Sequence, residues 1–195
     1  PVKNQGGCGS CWAFAAAGAF ENTYRKFYGA VIDISEQDIL ACGKNCIGGD
    51  CGSCGGGWSD CALDFIKCKG VASEASYPYN PSQGNTCYNK PKFKTAYGWW
   101  RLAYVNQKDW IKYYLTTYGA VVTYMKAGIS TFYSYGGGAY NGWPNSLGGG
   151  IDHAVTIVGW YEPWQCWIIK NSWGTGWGPY GGYAYVRYDN CNIGQ

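Results

Sequence analysis

The chain of 195 residues has a single histidine, His153, and few charges, with Asp, Glu, Lys and Arg together making 14%. Fifteen basic against twelve acidic residues leave a formal net charge of +3, and the basic residues are scattered along the sequence. A nucleic-acid binder gathers its cations into a stripe or patch, so the sequence points away from that class. No apolar run approaches the roughly 18 residues of a membrane span. The longest near-apolar stretch, residues 12–20, is too short and lacks the basic lead-in of a signal peptide. A secretory signal, where the gene encodes one, is expected to have been cleaved. No internal repeat is present.

What the chain has in abundance is glycine (31), aromatic rings (11 Trp, 19 Tyr, 6 Phe) and cysteine (11). Rings of this number suit a loop-rich fold with an aromatic core, in which glycine permits tight turns. So many cysteines favour an oxidising compartment over the cytosol. Their number is odd. If ten pair, one thiol is left over, and a leftover thiol is a candidate for reactivity. The length suffices for one large domain or two small lobes.

Residues 11–28, "CWAFAAAGAFENTYRKFY", read as a helix. Trp12, Ala15, Ala16, Ala19, Thr23 and Phe27 share a broad apolar face, and three consecutive alanines favour helix. "ISEQDIL" (34–40) opens a second helix with Ser35 as N-cap and Asp38 at the third helical position. Residues 42–57, "CGKNCIGGDCGSCGGG", cannot form a regular element and need crosslinks for order. A third short helix is expected over about 58–67. The later stretches 119–125, 153–161, 166–173 and 182–188 are β-branched and aromatic with glycine between them, and read as strands. Helices first and strands later indicate an α+β fold with segregated halves and a boundary near 88–100.

"QGGCGSCWAF" (5–14) places Cys8 and Cys11 three apart, just ahead of the first helix. A thioredoxin-like redox couple would follow a strand, and "PVKNQGG" is no strand. Zinc is a second reading, since Cys42, Cys46, Cys51 and Cys54 have ligand-like spacing. One histidine and an oxidised cysteine set favour a disulfide-stapled loop instead. The third reading is a nucleophile. A thiol attacks as thiolate, which is favoured at a helix N-terminus beside an imidazole. Cys11 has the helix, and His153 is the one imidazole that could serve as its base. The apolar strand "AVTIVGW" would hold the ring, and Asn171 in "IIKNSWGTGWG" is a candidate to orient it.

"QGGCGSCWAF", "DHAV" and "KNSWGTGWG" together resemble the papain family of cysteine proteases, which includes the cathepsins. "SEQDILAC" (35–42), "CGGGWSDCALDF" (54–65) and "YPY" (77–79) extend the resemblance, in family order, over nearly the whole chain. It implies a papain-like two-lobe α+β fold. The helical left lobe, about 1–90, carries Cys11; the right lobe, about 91–195, is an antiparallel β-barrel carrying His153 and Asn171, and the active-site cleft lies between them. The resemblance makes Cys11 the nucleophile, His153 the general base and acid, and Asn171 the group orienting the imidazole. It gives Gln5 and the Cys11 amide the oxyanion hole. Trp173 would shield the His–Asn hydrogen bond. Gly56 and Gly57 would meet substrate backbone, and Trp58, Tyr124, Ile151 and Ala154 would line the main specificity pocket, S2. Asp152, Trp173 and Trp177 complete the expected substrate-binding set. The expected activity is that of an endopeptidase acting through a thiolate–imidazolium pair and an acyl-enzyme. Its expected setting is secreted or lysosome-like. Polypeptides are the expected substrates, with a pro-segment or cystatin-like inhibitor as further partners; no cofactor, metal, nucleic acid or membrane is implied.

The family pattern pairs Cys8 with Cys54 and Cys42 with Cys87. Cys191 matches a family cysteine whose usual partner precedes the catalytic histidine, where this chain has "NSLGGG". Parity offers Cys166 as its replacement partner. Cys46, Cys51, Cys61 and Cys68 are additional; Cys61 and Cys68 lie about 10 Å apart along one expected helix and cannot bridge each other. They should reach into the 46–51 loop, in pairs the sequence does not assign. By comparison with mature family members both termini are expected to be incomplete. Tyr124 stands where the family has a small or aliphatic residue, which implies a shallow S2 that disfavours Phe or Leu. A single histidine rules out the histidine pair of the cathepsin B occluding loop, hence an endopeptidase. The competing class is a papain-fold structural or assembly protein with blocked or incidental activity.

Overall fold

A computed structural model describes residues 1–83, 85–102 and 108–194. The chain divides into two compact units, Gln5–Arg101 and a second made of Pro1–Asn4 with Leu102–Gln195. Helices dominate the first and a sheet the second, as the α+β reading expects.

In the first unit α1 (Cys11–Tyr28) runs the full length expected of it. Its alanines bring the backbone close to its neighbours, and Trp12, Ala13, Ala16 and Ala17 are fully buried with Ile34, Ile39, Leu40, Phe65 and Ile66. The apolar face ends earlier than its pattern suggested: Phe27 is exposed. Gly29 closes the helix in the left-handed region at φ 66°, its N–H bonded to the Arg25 carbonyl. Helix α2 (Glu36–Cys42) starts as expected, with the Asp38 amide donating to Ser35 Oγ at 2.9 Å. After Cys42 the stretch to Gly57 contains an isolated bridge between Lys44 and Asp50 and two paired dipeptides, β1 (Gly52–Ser53) and β2 (Gly56–Gly57), before α3 (Ser59–Lys69).

Crosslinks hold that region. Cys8–Cys54 and Cys42–Cys87 form as the family pattern implies. The four additional cysteines pair as Cys46–Cys68 and Cys51–Cys61, both ends of α3 being tied to the preceding loop. The zinc-like spacing of Cys42, Cys46, Cys51 and Cys54 is therefore that of four half-cystines.

The second unit holds α4 (Lys108–Thr117), β3 (Val121–Met125), α5 (Ser130–Tyr133), β4 (Ala139–Tyr140), β5 (His153–Tyr161), β6 (Cys166–Lys170) and β7 (Tyr183–Arg187). The sheet order is β3-β5-β6-β7-β4, antiparallel except for the β4–β7 pair. Among the described residues no pairing closes this ladder into a barrel. Its core gathers Met125, Phe132, Val155, Ile157, Trp167, Ile169 and Val186.

Two cysteine expectations fail here. Cys166 and Cys191 are not bonded to each other; both are buried thiols, so with Cys11 three cysteines stand outside the disulfides rather than one. The sheet register gives the reason. Cys166 lies opposite Tyr161, the last residue of β5, whereas the Cys191 carbonyl accepts from Lys126, beside the Met125–His153 pair at its first. A nine-residue strand spans roughly 26 Å, while a disulfide needs Cα atoms within about 7 Å. Hydrogen bonds hold the 143–149 loop to Cys191 and Asn192. The Cys191 amide donates to the Trp143 carbonyl, the Asn192 amide to Asn145 Oδ1, and the Asn192 side chain to the Gly149 carbonyl.

Candidate active site

Each unit carries part of the residue set expected from sequence. In the first, Cys11 is the opening residue of α1 and is partly exposed. A helix N-terminus carries partial positive charge, which favours an anion there. The loop leading to it is held at several points. Cys8 is bonded to Cys54, and the Gly9 amide donates to the Cys54 carbonyl at 2.8 Å. A Cβ at Gly9 would stand 2.6 Å from that carbonyl oxygen, so only glycine fits. Gln5 is buried, and its Nε2 donates to the Cys8 carbonyl at 2.8 Å. Cys8 is thus a staple rather than a redox partner of Cys11.

Gly56 and Gly57 form β2, paired with Ser53 and Gly52. Gly57 has a packing reason to be glycine, because a Cβ there would lie 2.5 Å from the Trp12 ring and 2.6 Å from the Cys51 carbonyl oxygen. Gly56 is exposed and Trp58 beside them is 61% exposed.

In the second unit His153 opens β5 and Asn171 follows β6, and register brings them together. His153 Nε2 lies 2.8 Å from Asn171 Oδ1. The Ser172 backbone amide donates to the same Oδ1 at 2.8 Å, which fixes that atom as an acceptor. His153 Nε2 must therefore carry a hydrogen, leaving Nδ1 as the nitrogen that exchanges a proton. The pair is buried, and the Trp173 ring sits 4.9 Å from the imidazole. Burial lowers the His153 pKa, opposed by the Asn171 hydrogen bond and the Asp152 charge. Asn171 Nδ2 is buried with no hydrogen-bond partner among the described residues.

Trp173 is itself supported by Tyr133, stacked at 5.1 Å, and by Trp177, edge-on at 5.2 Å. Tyr124 faces Ala154 across the β3–β5 ladder; Ala154 is buried and Ile151 half-exposed. Asp152 is turned toward residues 126–128: it accepts from the Ala127 and Gly128 amides and pairs with Lys126. Burial opposes its ionisation, but these donors prevail and hold its pKa below the usual value.

Two contributors were not picked out as site residues from the sequence. Tyr133 shows itself only through its stacking. Tyr79 lies in the quoted "YPY", yet its contacts with Gln5 and Ser10 depend on the fold.

The profile of papain family cysteine proteases matches residues 1–195. The chain belongs to the papain family. Among its papain-family relatives are a cysteine protease of Blomia tropicalis, 36% identical over 99% of this chain and 59% of that protein, and macrodontain-1 of Ananas macrodontes, 37% identical over 99% and 85%. A solved structure of a Carica candamarcensis cysteine protease in complex with E-64 matches with a TM-score of 0.81 and 32% identity, covering 100% of this chain and 89% of that one. The chain thus spans about three fifths of the mite protease and most of macrodontain-1.

Proposed function

We propose that this chain is a cysteine endopeptidase with Cys11 as nucleophile, His153 as general base and acid, and Asn171 as the group orienting the imidazole. The observation that carries the reading is the buried His153–Asn171 hydrogen bond at 2.8 Å under Trp173, made by the sole histidine of the chain. Cys11 at the first position of a long helix and membership of the papain family support it.

In this mechanism the Cys11 thiolate forms a bond to the scissile carbonyl carbon, and the carbonyl electrons move to oxygen. Gln5 and the Cys11 amide donate to that oxyanion; one such donor is typically worth about 3 kcal/mol. His153 Nδ1 gives its proton to the amine as the C–N bond breaks. Nδ1 then takes a proton from water, whose hydroxide attacks the thioester and expels the thiolate. Gly56 and Gly57 are assigned to substrate backbone and Trp58, Tyr124, Ile151 and Ala154 to S2, where the Tyr124 ring disfavours Phe or Leu. Asp152, Trp173 and Trp177 are assigned to the substrate-binding set, with Trp173 also shielding the His153–Asn171 hydrogen bond. The four disulfides support an oxidising route, and with it a secreted or lysosome-like setting, polypeptide substrates, and a pro-segment or cystatin-like inhibitor as partner.

Incubation with E-64 followed by peptide mapping tests the assignment. The expected result is one adduct, on Cys11, with amide hydrolysis lost in Cys11→Ala and His153→Ala and weak cleavage of substrates that carry Phe or Leu at P2. An unmodified Cys11 in a protein without peptidase activity would overturn it.

A further inference from the structure

The Tyr79 hydroxyl joins two points near the start of α1. It donates to the Gln5 carbonyl at 2.9 Å and lies 2.7 Å from Ser10 Oγ. A phenol has one proton, so with that proton on Gln5 the Ser10 hydroxyl must donate to Tyr79. The chain therefore runs Ser10 Oγ–H to Tyr79 Oη–H to Gln5 C=O. Hydrogen bonds arranged head to tail polarise and strengthen one another.

Ser10 gives the second observation. It is the N-cap residue of α1, where a serine usually accepts from a first-turn amide. Here its side chain makes no cap bond. Its hydroxyl is engaged by Tyr79 instead, and its carbonyl accepts from the Ala13 amide at 2.9 Å. The Tyr79 ring is fixed in turn, edge-on to Phe14 at 4.8 Å, with its own amide donating to the Glu74 carboxylate at 2.8 Å. Partial burial raises the phenol pKa, so it stays a proton donor at neutral pH.

We propose that Tyr79 is a positioning residue for oxyanion stabilisation, setting through Ser10 and Gln5 the place from which the Gln5 amide and the Cys11 N–H meet the developing charge. The proposal rests on the oxyanion role given to Gln5 above. Gln5 is held by its carbonyl from Tyr79 and by its Nε2 from the Cys8 carbonyl. Two anchored points restrict the positions the Gln5 amide can take. Donors aimed in advance matter where charge develops on oxygen. Loss of the hydroxyl should weaken steps that form an oxyanion and spare those that do not.

Tyr79→Phe keeps the ring and removes the hydroxyl, and Gln5→Ala removes the donor itself. Three measurements are made on each. An N-blocked dipeptidyl aldehyde gives an inhibition constant, since thiolate addition to its carbonyl produces an oxyanion. The fluorogenic amide of the same dipeptide gives kcat and KM. Iodoacetamide alkylation of Cys11, followed by peptide mapping, gives the reactivity of the thiol alone, because sulfur displaces iodide with no oxyanion. Aldehyde affinity is expected to fall about a hundredfold in Gln5→Ala and about tenfold in Tyr79→Phe, with kcat following and KM nearly constant. Alkylation should change less than about twofold in either variant, as no oxyanion forms in that step.

Gln5→Ala losing affinity while Tyr79→Phe keeps it would overturn the proposal and leave the Gln5 role standing. An unaffected Gln5→Ala would overturn that role and the proposal with it. Alkylation slowed as much as aldehyde binding in Tyr79→Phe would also overturn it, by placing the effect on the thiol or the fold. If Tyr79→Phe fails to fold, Ser10→Ala removes the head of the same chain and is read identically, with about a threefold loss of aldehyde affinity expected.

Discussion

At His153 burial and hydrogen bonding act in opposite directions. Burial lowers its pKa, while the Asn171 carbonyl and the Asp152 carboxylate raise it. Asn171→Ala removes one of the raising contacts, so the imidazolium is lost at lower pH and the alkaline limb of kcat/KM moves to lower pH. Its maximum should also fall about tenfold, the value of one hydrogen bond to a charged group. A pH profile of kcat/KM for both proteins measures this; an unmoved or raised limb would show that Asn171 does not stabilise the imidazolium. That His153 and Asn171 meet was legible in sequence, because both lie in long motifs whose chemistry restricts residue type. The roof over them was less so: Tyr133 carries no reactive group, and only packing brings it onto Trp173. Nor could sequence tell that the Asp152 carboxylate is engaged by residues 126–128.

Helix α3 shows how an element can be held by its crosslinks. It is eleven residues long, and Cys61 and Cys68 each tie it to the glycine-rich loop before it. Cys46 and Cys68 are 22 residues apart, a separation for which chain entropy assigns a crosslink about 3 kcal/mol. The double variant Cys46→Ser, Cys68→Ser should melt on the order of 10 °C lower, with kcat/KM at room temperature unchanged. Thermal unfolding followed by circular dichroism measures the first and a fluorogenic assay the second; an unchanged melting point would mean that the loop is ordered without its staple. Elements with a strong local signal were legible, such as α1 with its alanine run and β5 with its β-branched residues. Helix α4 was not, since in "KDWIKYYLTT" only Ile111 and Leu115 are buried and the exposed rings obscure the period. Helix α5 has four residues and β4 two, and β4 exists only through its parallel pairing with the distant β7.

Over the molecule as a whole, counting cysteines by parity misled, because geometry and not number decides which sulfurs meet. The sheet unit keeps two buried thiols. Burial pushes the pKa of Cys166 up to about 11 and of Cys191 up to about 12, and that of Tyr135 also up to about 12. Unfolded, these groups titrate near 8.5 for thiols and 10 for a phenol. Their folded values are raised, so their contribution to stability is full below those pH values and is lost as pH rises through the folded ones. The melting temperature should therefore decline from about pH 8.5 upward, and Cys191→Ala should decline less steeply from a lower starting point. Thermal scans across the alkaline range measure both; parallel curves would show that Cys191 does not contribute. All four disulfides of the described residues, by contrast, lie between Cys8 and Cys87, in the unit that carries Cys11. Keeping the Cys11 thiol reduced calls for a reductant, and that same reagent would erode the disulfide scaffold around it while the sheet unit has nothing for it to cut. Activation and ageing would thus share one chemical agent, and the useful lifetime of the protein would be set by how far apart those two redox thresholds lie.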